Sequence, residues 1–153
     1  MNVAVIGVGG VGGYFGGKLT QLLKSDSTLN VSFVARGDHL REIQRNGLIL
    51  DSDRGEMICV PTMAAGRVSD LPAPDLCLVC VKSFDLENVL YMLKGKISDR
   101  TILLPLLNGV DIYERIRRVI KNGIILPSCV YVGTHIEKAG RVTQRGGSCT
   151  IHF

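Results

Sequence analysis

Val3-Ala4-Val5-Ile6-Gly7-Val8-Gly9-Gly10-Val11-Gly12 opens the chain. A short apolar run with the composition of a buried strand feeds directly into G-x-G-x-x-G, supplied by Gly7, Gly9 and Gly12. A helical pattern follows, with Val11, Phe15, Leu19 and Leu22 at the spacing of one helix face. A nucleotide pyrophosphate requires this arrangement. One glycine makes the tight turn, the next lets the backbone approach the phosphates, and the third lets helix and strand pack closely. The helix start then presents unpaired N–H groups and a positive dipole end to the phosphate charge. Gly7, Val8, Gly9, Gly10, Val11 and Gly12 are therefore candidate cofactor contacts.

Working outward, a second strand at Asn30–Ala35 ends at Arg36. Dinucleotide-binding domains specific for NAD carry an acid at this point, which accepts from the ribose 2′-hydroxyl; an arginine suits a 2′-phosphate. The guanidinium matches phosphate with a fork of donors, and no acid occurs before Asp38. The reading favours NADP over NAD. His39 and Arg41 read as surface residues of a helix at about Asp38–Arg45, closed by Asn46-Gly47. Leu48–Leu50 and Glu56–Val60 read as a hairpin around a polar turn.

Pro61–Pro74 reads as irregular. Leu76–Val81 is almost wholly apolar, as a central parallel strand should be, and Lys82 stands at its exit. In an open α/β sheet ligands bind outside the carboxyl ends of the strands, which makes Lys82 a candidate. Ser83 reads as the N-cap of a helix with an apolar stripe of Leu86, Val89, Leu90 and Leu93. Strand Thr101–Leu104 leads to Asn108-Gly109, where Gly109 opens a helix containing Ile112, Ile116 and Val119. Asn108 is a further candidate, although Asn-Gly is also a common turn without a ligand. Asp111 and Glu114 read as helix-dipole partners.

After Ile124 the texture changes to strands at Ile124–Val132, Thr134–Glu137, Arg141–Gln144 and Cys149–Phe153. The order βαβα, hairpin, βαβα predicts an α/β, Rossmann-type doubly wound, mostly parallel sheet with a β-rich C-terminal tail. Residues 1–153 read as one dinucleotide-binding domain.

Composition narrows the alternatives. A chain of 153 residues, 46% hydrophobic with 18 glycines, suits one compact domain. The net charge of +4 is modest, and 5% aromatics with no Trp supply few stacking platforms for nucleic acid. A small anionic ligand explains the charge equally well. Apolar runs break well short of roughly 18 residues, so no membrane span is predicted. With no secretory leader evident at the N-terminus, the expected location is cytoplasmic.

Cys77-Leu-Val-Cys80 resembles a redox pair, but on a strand these positions face opposite sides. The five cysteines have no metal-site spacing, so no metal is expected. A phosphate-loop spacing, Gly12-x-x-x-x-Gly17-Lys18, overlaps the first motif. It carries Leu19 where a magnesium-holding hydroxyl belongs.

Four segments in order, Gly7–Gly13, Ala35–Leu40, Cys80-Val81-Lys82-Ser83 and Leu107-Asn108-Gly109-Val110, strongly resemble the N-terminal domain of 2-dehydropantoate 2-reductases (ketopantoate reductases). The resemblance covers essentially the whole chain. It implies NADPH as cofactor, with Gly7, Gly9 and Gly12 at the pyrophosphate and Arg36 at the 2′-phosphate. It places Lys82 in the cofactor cleft near the substrate and Asn108 at the nicotinamide end, both in supporting catalytic roles. It further implies a 2-keto acid substrate, 2-dehydropantoate, reduced to (R)-pantoate on the way to pantothenate and coenzyme A.

Leu107 departs from the family, in which a polar residue is common there. The family's proton-donating lysine and substrate-clamping residues belong to a helical C-terminal domain absent from these 153 residues. The chain therefore reads as a domain fragment, inactive by itself, whose exposed interdomain face would promote self-association; a homodimer stays open. Two alternatives also stand: the NADP-binding domain of another 2-keto or 3-hydroxy acid dehydrogenase, or a non-catalytic dinucleotide-sensing domain. No nucleic-acid or membrane partner is expected.

Overall fold

The first strand of the computed structural model, which describes residues 1–153, is β1 (Asn2–Ile6), and all its side chains beyond Asn2 are buried. It lies between β2 (Asn30–Val34) and β6 (Leu76–Val79), parallel to both. β7 (Ile102–Pro105) and a two-residue β8 (Ile124–Ile125) extend the sheet on one side, and β5 (Met63–Ala65) closes the other. The order is β5-β2-β1-β6-β7-β8, every pairing parallel. Strands buried on both faces need no polar alternation, which is why Leu76–Val79 reads as a plain apolar run.

Both faces are covered. α1 (Gly10–Thr20) and α2 (Gly37–Asn46) pack on one, with Val5, Phe33 and Leu78 in a shared core. α3 (Leu86–Leu93) and α4 (Ile112–Val119) pack on the other, with Ala4, Val79 and Leu103. The stripe Leu86, Val89, Leu90 and Leu93 is buried as its spacing requires. Gly16 brings α1 onto the sheet, since a Cβ there would stand 2.9 Å from the Phe33 ring.

A second sheet lies over α1. β3 (Leu48–Ser52) and β4 (Gly55–Cys59) form the expected hairpin, and β10 (Thr134–Lys138) and β11 (Arg141–Gln144) form another. Parallel pairing of β11 with β3 joins them in the order β10-β11-β3-β4. Val142 of β11 is buried against Gly13 of α1. β9 (Cys129–Tyr131) and β12 (Thr150–His152) form a separate antiparallel pair.

Four local expectations are corrected. The segment expected to be irregular holds β5 and a turn of 3₁₀ helix at Val68–Asp70; three residues are too few to show an alternation. The single strand expected over Ile124–Val132 is two, β8 and β9, parted around Pro127, which has no N–H to give a ladder. Ser83 caps no helix: a 3₁₀ turn, Ser83–Asp85, precedes α3, and no side chain caps it. Gly109 does not open α4, which begins at Ile112. Its φ of +149° lies outside helical space, and a Cβ would meet the Ile112 side chain at 2.8 Å.

Candidate functional site

The register of the parallel sheet assembles the site. Val34, Ile6, Val79 and Pro105 are consecutive partners across β2, β1, β6 and β7. The four strands therefore end on one line, and the residues just beyond them share one edge: Arg36, Gly7, Lys82 and Asn108. Strand order reverses between β1 and β6, because the chain builds outward from β1 through β2 to β5 and then returns to the other side. Such a switch point opens a crevice beyond the strand ends. A cleft of about 590 Å³ occupies it, lined by Gly7, Val8, Gly9, Gly10, Val11, Arg36, Lys82 and Asn108 among others. The four strand exits and the glycine loop thus meet in one cavity.

The loop's shape follows from its glycines. Gly7 has φ +90°, and its N–H and that of Val8 both reach the Val34 carbonyl, at 3.1 and 3.0 Å. The turn is thereby tied to the end of β2. Gly12 does not line the cleft. It is buried where α1 crosses the turn, and a Cβ would fall 2.2 Å from the Gly7 carbonyl oxygen. The first α1 hydrogen bond runs from Gly13 N–H to the Gly9 carbonyl. The N–H groups of Gly10, Val11 and Gly12 thus have no acceptor within the helix, and the helix end suits an anion. The alternative phosphate-loop spacing, Gly12 to Lys18, lies inside α1 and forms no loop.

Arg36 is exposed at the mouth of the cleft, and its Nη2 pairs with Asp85 Oδ2 at 2.8 Å. Lys82 follows β6 in extended backbone, with its carbonyl accepting from Asp85 N–H. Arg115 of α4 fixes this loop from below: it donates to the Ser83 carbonyl at 2.6 Å and grips both Glu87 oxygens at 2.6 and 2.7 Å. That bidentate bond draws the Glu87 carboxyl down to about 2. Asn108 stands exposed beyond the end of β7, beside Leu107 at the cleft.

Among the cleft residues that sequence reasoning missed, three stand out. Asp85 lines the cleft and pairs with Arg36, a contact with no local signal in the sequence. Thr134 comes from the tail, and its carbonyl and hydroxyl would both lie 2.7 Å from a Cβ on Gly10, so the tail forms a wall against the glycine loop. His39 was expected on a helix surface but lines the cleft. Its Nδ1 accepts from Gly140 N–H at 3.0 Å, while Nε2 is buried without a partner of good geometry. Burial lowers the imidazole's pKa, and the nearby Val8 carbonyl opposes this only in part. The accepting Nδ1 places the ring proton of the neutral form on Nε2.

The cysteines hold no reactive pair. All five are free, Cys77 faces one core and Cys80 the other, and burial pushes the Cys77 thiol up to about 12. No three His, Cys, Asp or Glu side chains converge as metal ligands, and no helix is long and apolar enough to cross a membrane.

A parallel, doubly wound sheet with a glycine turn at its switch point defines a Rossmann-type α/β domain. The family model described as "Ketopantoate reductase PanE/ApbA" matches residues 3–153. The chain belongs to the PanE/ApbA ketopantoate reductase family.

Among its relatives, the "Uncharacterized oxidoreductase YkpB" of Bacillus subtilis is 26% identical over 154 residues, covering 100% of this chain and 48% of that protein. A 2-dehydropantoate 2-reductase of Mesorhizobium japonicum is 36% identical over 110 residues, covering 72% of this chain and 32% of that protein. The crystal structure of 2-dehydropantoate 2-reductase from Porphyromonas gingivalis superposes with a TM-score of 0.88 at 33% identity, over 95% of this chain and 52% of that one. The chain spans about half the length, or less, of these relatives.

Proposed function

We propose that this chain is the NADPH-binding half of a cytoplasmic 2-dehydropantoate 2-reductase, which reduces 2-dehydropantoate to (R)-pantoate for pantothenate and coenzyme A synthesis. The observation that carries the reading is the common strand-end line, which gathers the glycine turn, Arg36, Lys82 and Asn108 around one cleft in a member of this family. The cradle fits a dinucleotide. Where a Cβ would close the turn there is glycine, and the free N–H groups of α1 suit a pyrophosphate.

In this reading Gly7–Val11 hold the pyrophosphate, Gly12 supports their turn from within the fold, and Arg36 holds the 2′-phosphate. Lys82 and Asn108 orient the nicotinamide end and the 2-keto acid. Bound NADPH supplies the hydride. Lys82 brings positive charge to the side where an alkoxide would develop, and Asn108 offers an amide donor and acceptor. The apolar walls, Val81 and Leu107 among them, limit water at the reacting carbon.

Calorimetric titration with 2′,5′-ADP and, in parallel, 5′-AMP tests the adenosine half of the site. A clear preference for 2′,5′-ADP that disappears in Arg36→Ala is expected. Equal binding of the two, unchanged by that substitution, would overturn the assignment of Arg36 to a 2′-phosphate.

A further inference from the structure

Arg36 does not wait free at the mouth of the cleft. It follows β2, whereas Asp85 follows β6, and β1 runs between them. Their 2.8 Å ion pair therefore bridges the cleft above the glycine turn. The Asp85 side chain is 25% exposed against 77% for Arg36, so the carboxylate is the more firmly seated partner. Neighbouring arginines carry acids of their own: Arg41 pairs with Asp38, and Arg67, which also lines the cleft, pairs with Asp70 at 3.5 Å. The adenosine end is close to charge-balanced before any ligand arrives.

We propose that Asp85 is a cofactor-specificity residue, an internal counter-ion that competes with a 2′-phosphate for the Arg36 guanidinium. The proposal rests on the assignment of Arg36 to the adenosine ribose. A phosphate at the 2′ position must take donors from Arg36 beside a carboxylate of its own sign. A 2′-hydroxyl meets no such repulsion and can donate to Asp85, as it does to the acid of NAD-binding domains. Asp85 thus narrows the preference that Arg36 creates. The arginine identifies which phosphate is read, and the pair determines how strongly.

The test is calorimetry of the 153-residue chain and its Asp85→Asn variant with 2′,5′-ADP and 5′-AMP at low ionic strength. The variant should bind 2′,5′-ADP roughly two- to fivefold more tightly, the scale of an exposed ion pair. Its affinity for 5′-AMP should stay level or fall, so the ratio of the two rises. The gap should shrink in high salt, which screens exposed charges.

An unchanged ratio in Asp85→Asn, with Arg36→Ala still abolishing the preference, would overturn the role of Asp85 alone. A fall in the ratio would also overturn it, because Asp85 would then be orienting Arg36 for the phosphate. If Arg36→Ala has no effect on the wild-type preference, the underlying assignment fails and the proposal falls with it.

Discussion

Gly12 shows how one missing side chain shapes the site. Its Cα sits where α1 meets the Gly7 turn, with no room for a methyl group. Gly12→Ala should destabilise the fold by roughly 1–3 kcal/mol, the usual cost of overpacking, as read by urea denaturation. The same displacement should weaken 2′,5′-ADP binding, because the turn that would hold the phosphates must move. A variant with wild-type stability and affinity would show that the turn yields freely. Arg36, Lys82 and Asn108 were legible as candidates because each follows an apolar run that can only be a buried strand. Asp85 was not: its partner lies 49 positions away, and no local pattern carries that pairing.

At the scale of elements, α2 is joined to the tail through the His39–Gly140 hydrogen bond. Accepting that N–H requires an unprotonated Nδ1, and burial holds the folded-state pKa below the ordinary value near 6.5. The unfolded chain therefore binds more protons than the folded chain below that value. The stabilisation is full above it and is lost as pH falls through the lowered folded-state value. Urea midpoints measured from pH 7.5 down to 5.5 should fall in the wild type and fall less in His39→Gln; identical slopes would remove His39 as the cause. The Glu87–Arg115 contribution is lost lower, between the ordinary glutamate value of 4.5 and about 2, so the two effects separate. Sequence patterns found α3 well, because its four stripe residues fall on one face. They missed the true start of α4, because Gly109 takes a φ of +149°, open to glycine and outside helical space.

For the whole molecule, α1 is the shared layer between the parallel sheet and the second sheet, which makes independent unfolding of either costly. Thermal unfolding should be one transition, with far-ultraviolet dichroism and tyrosine signals coinciding. Leu90→Ala, on the face away from the second sheet, should cost about 2–5 kcal/mol and lower that single midpoint by about 2–4 °C per kcal/mol. Two separated transitions would show that the layers are independent.

On the proposed reading Lys82 and Asn108 only support the reaction, and the general acid is not among these 153 residues. By themselves they should turn over 2-dehydropantoate slower than a full-length relative by roughly two orders of magnitude or more, the usual contribution of such a group. An NADPH-oxidation assay checks this; near-normal turnover would contradict it.

The sequence alone determined the alternation of strands and helices, the glycine turn and the strand ends that carry Arg36, Lys82 and Asn108. These are local consequences of hydrophobic period and backbone freedom, written within a few residues of each feature. Only the tertiary structure decided that hairpin and tail merge into one sheet over α1, that Thr134 and His39 face the glycine loop, and that Asp85 reaches Arg36. Those contacts join residues far apart in the chain, and their partners are chosen by packing and charge in three dimensions.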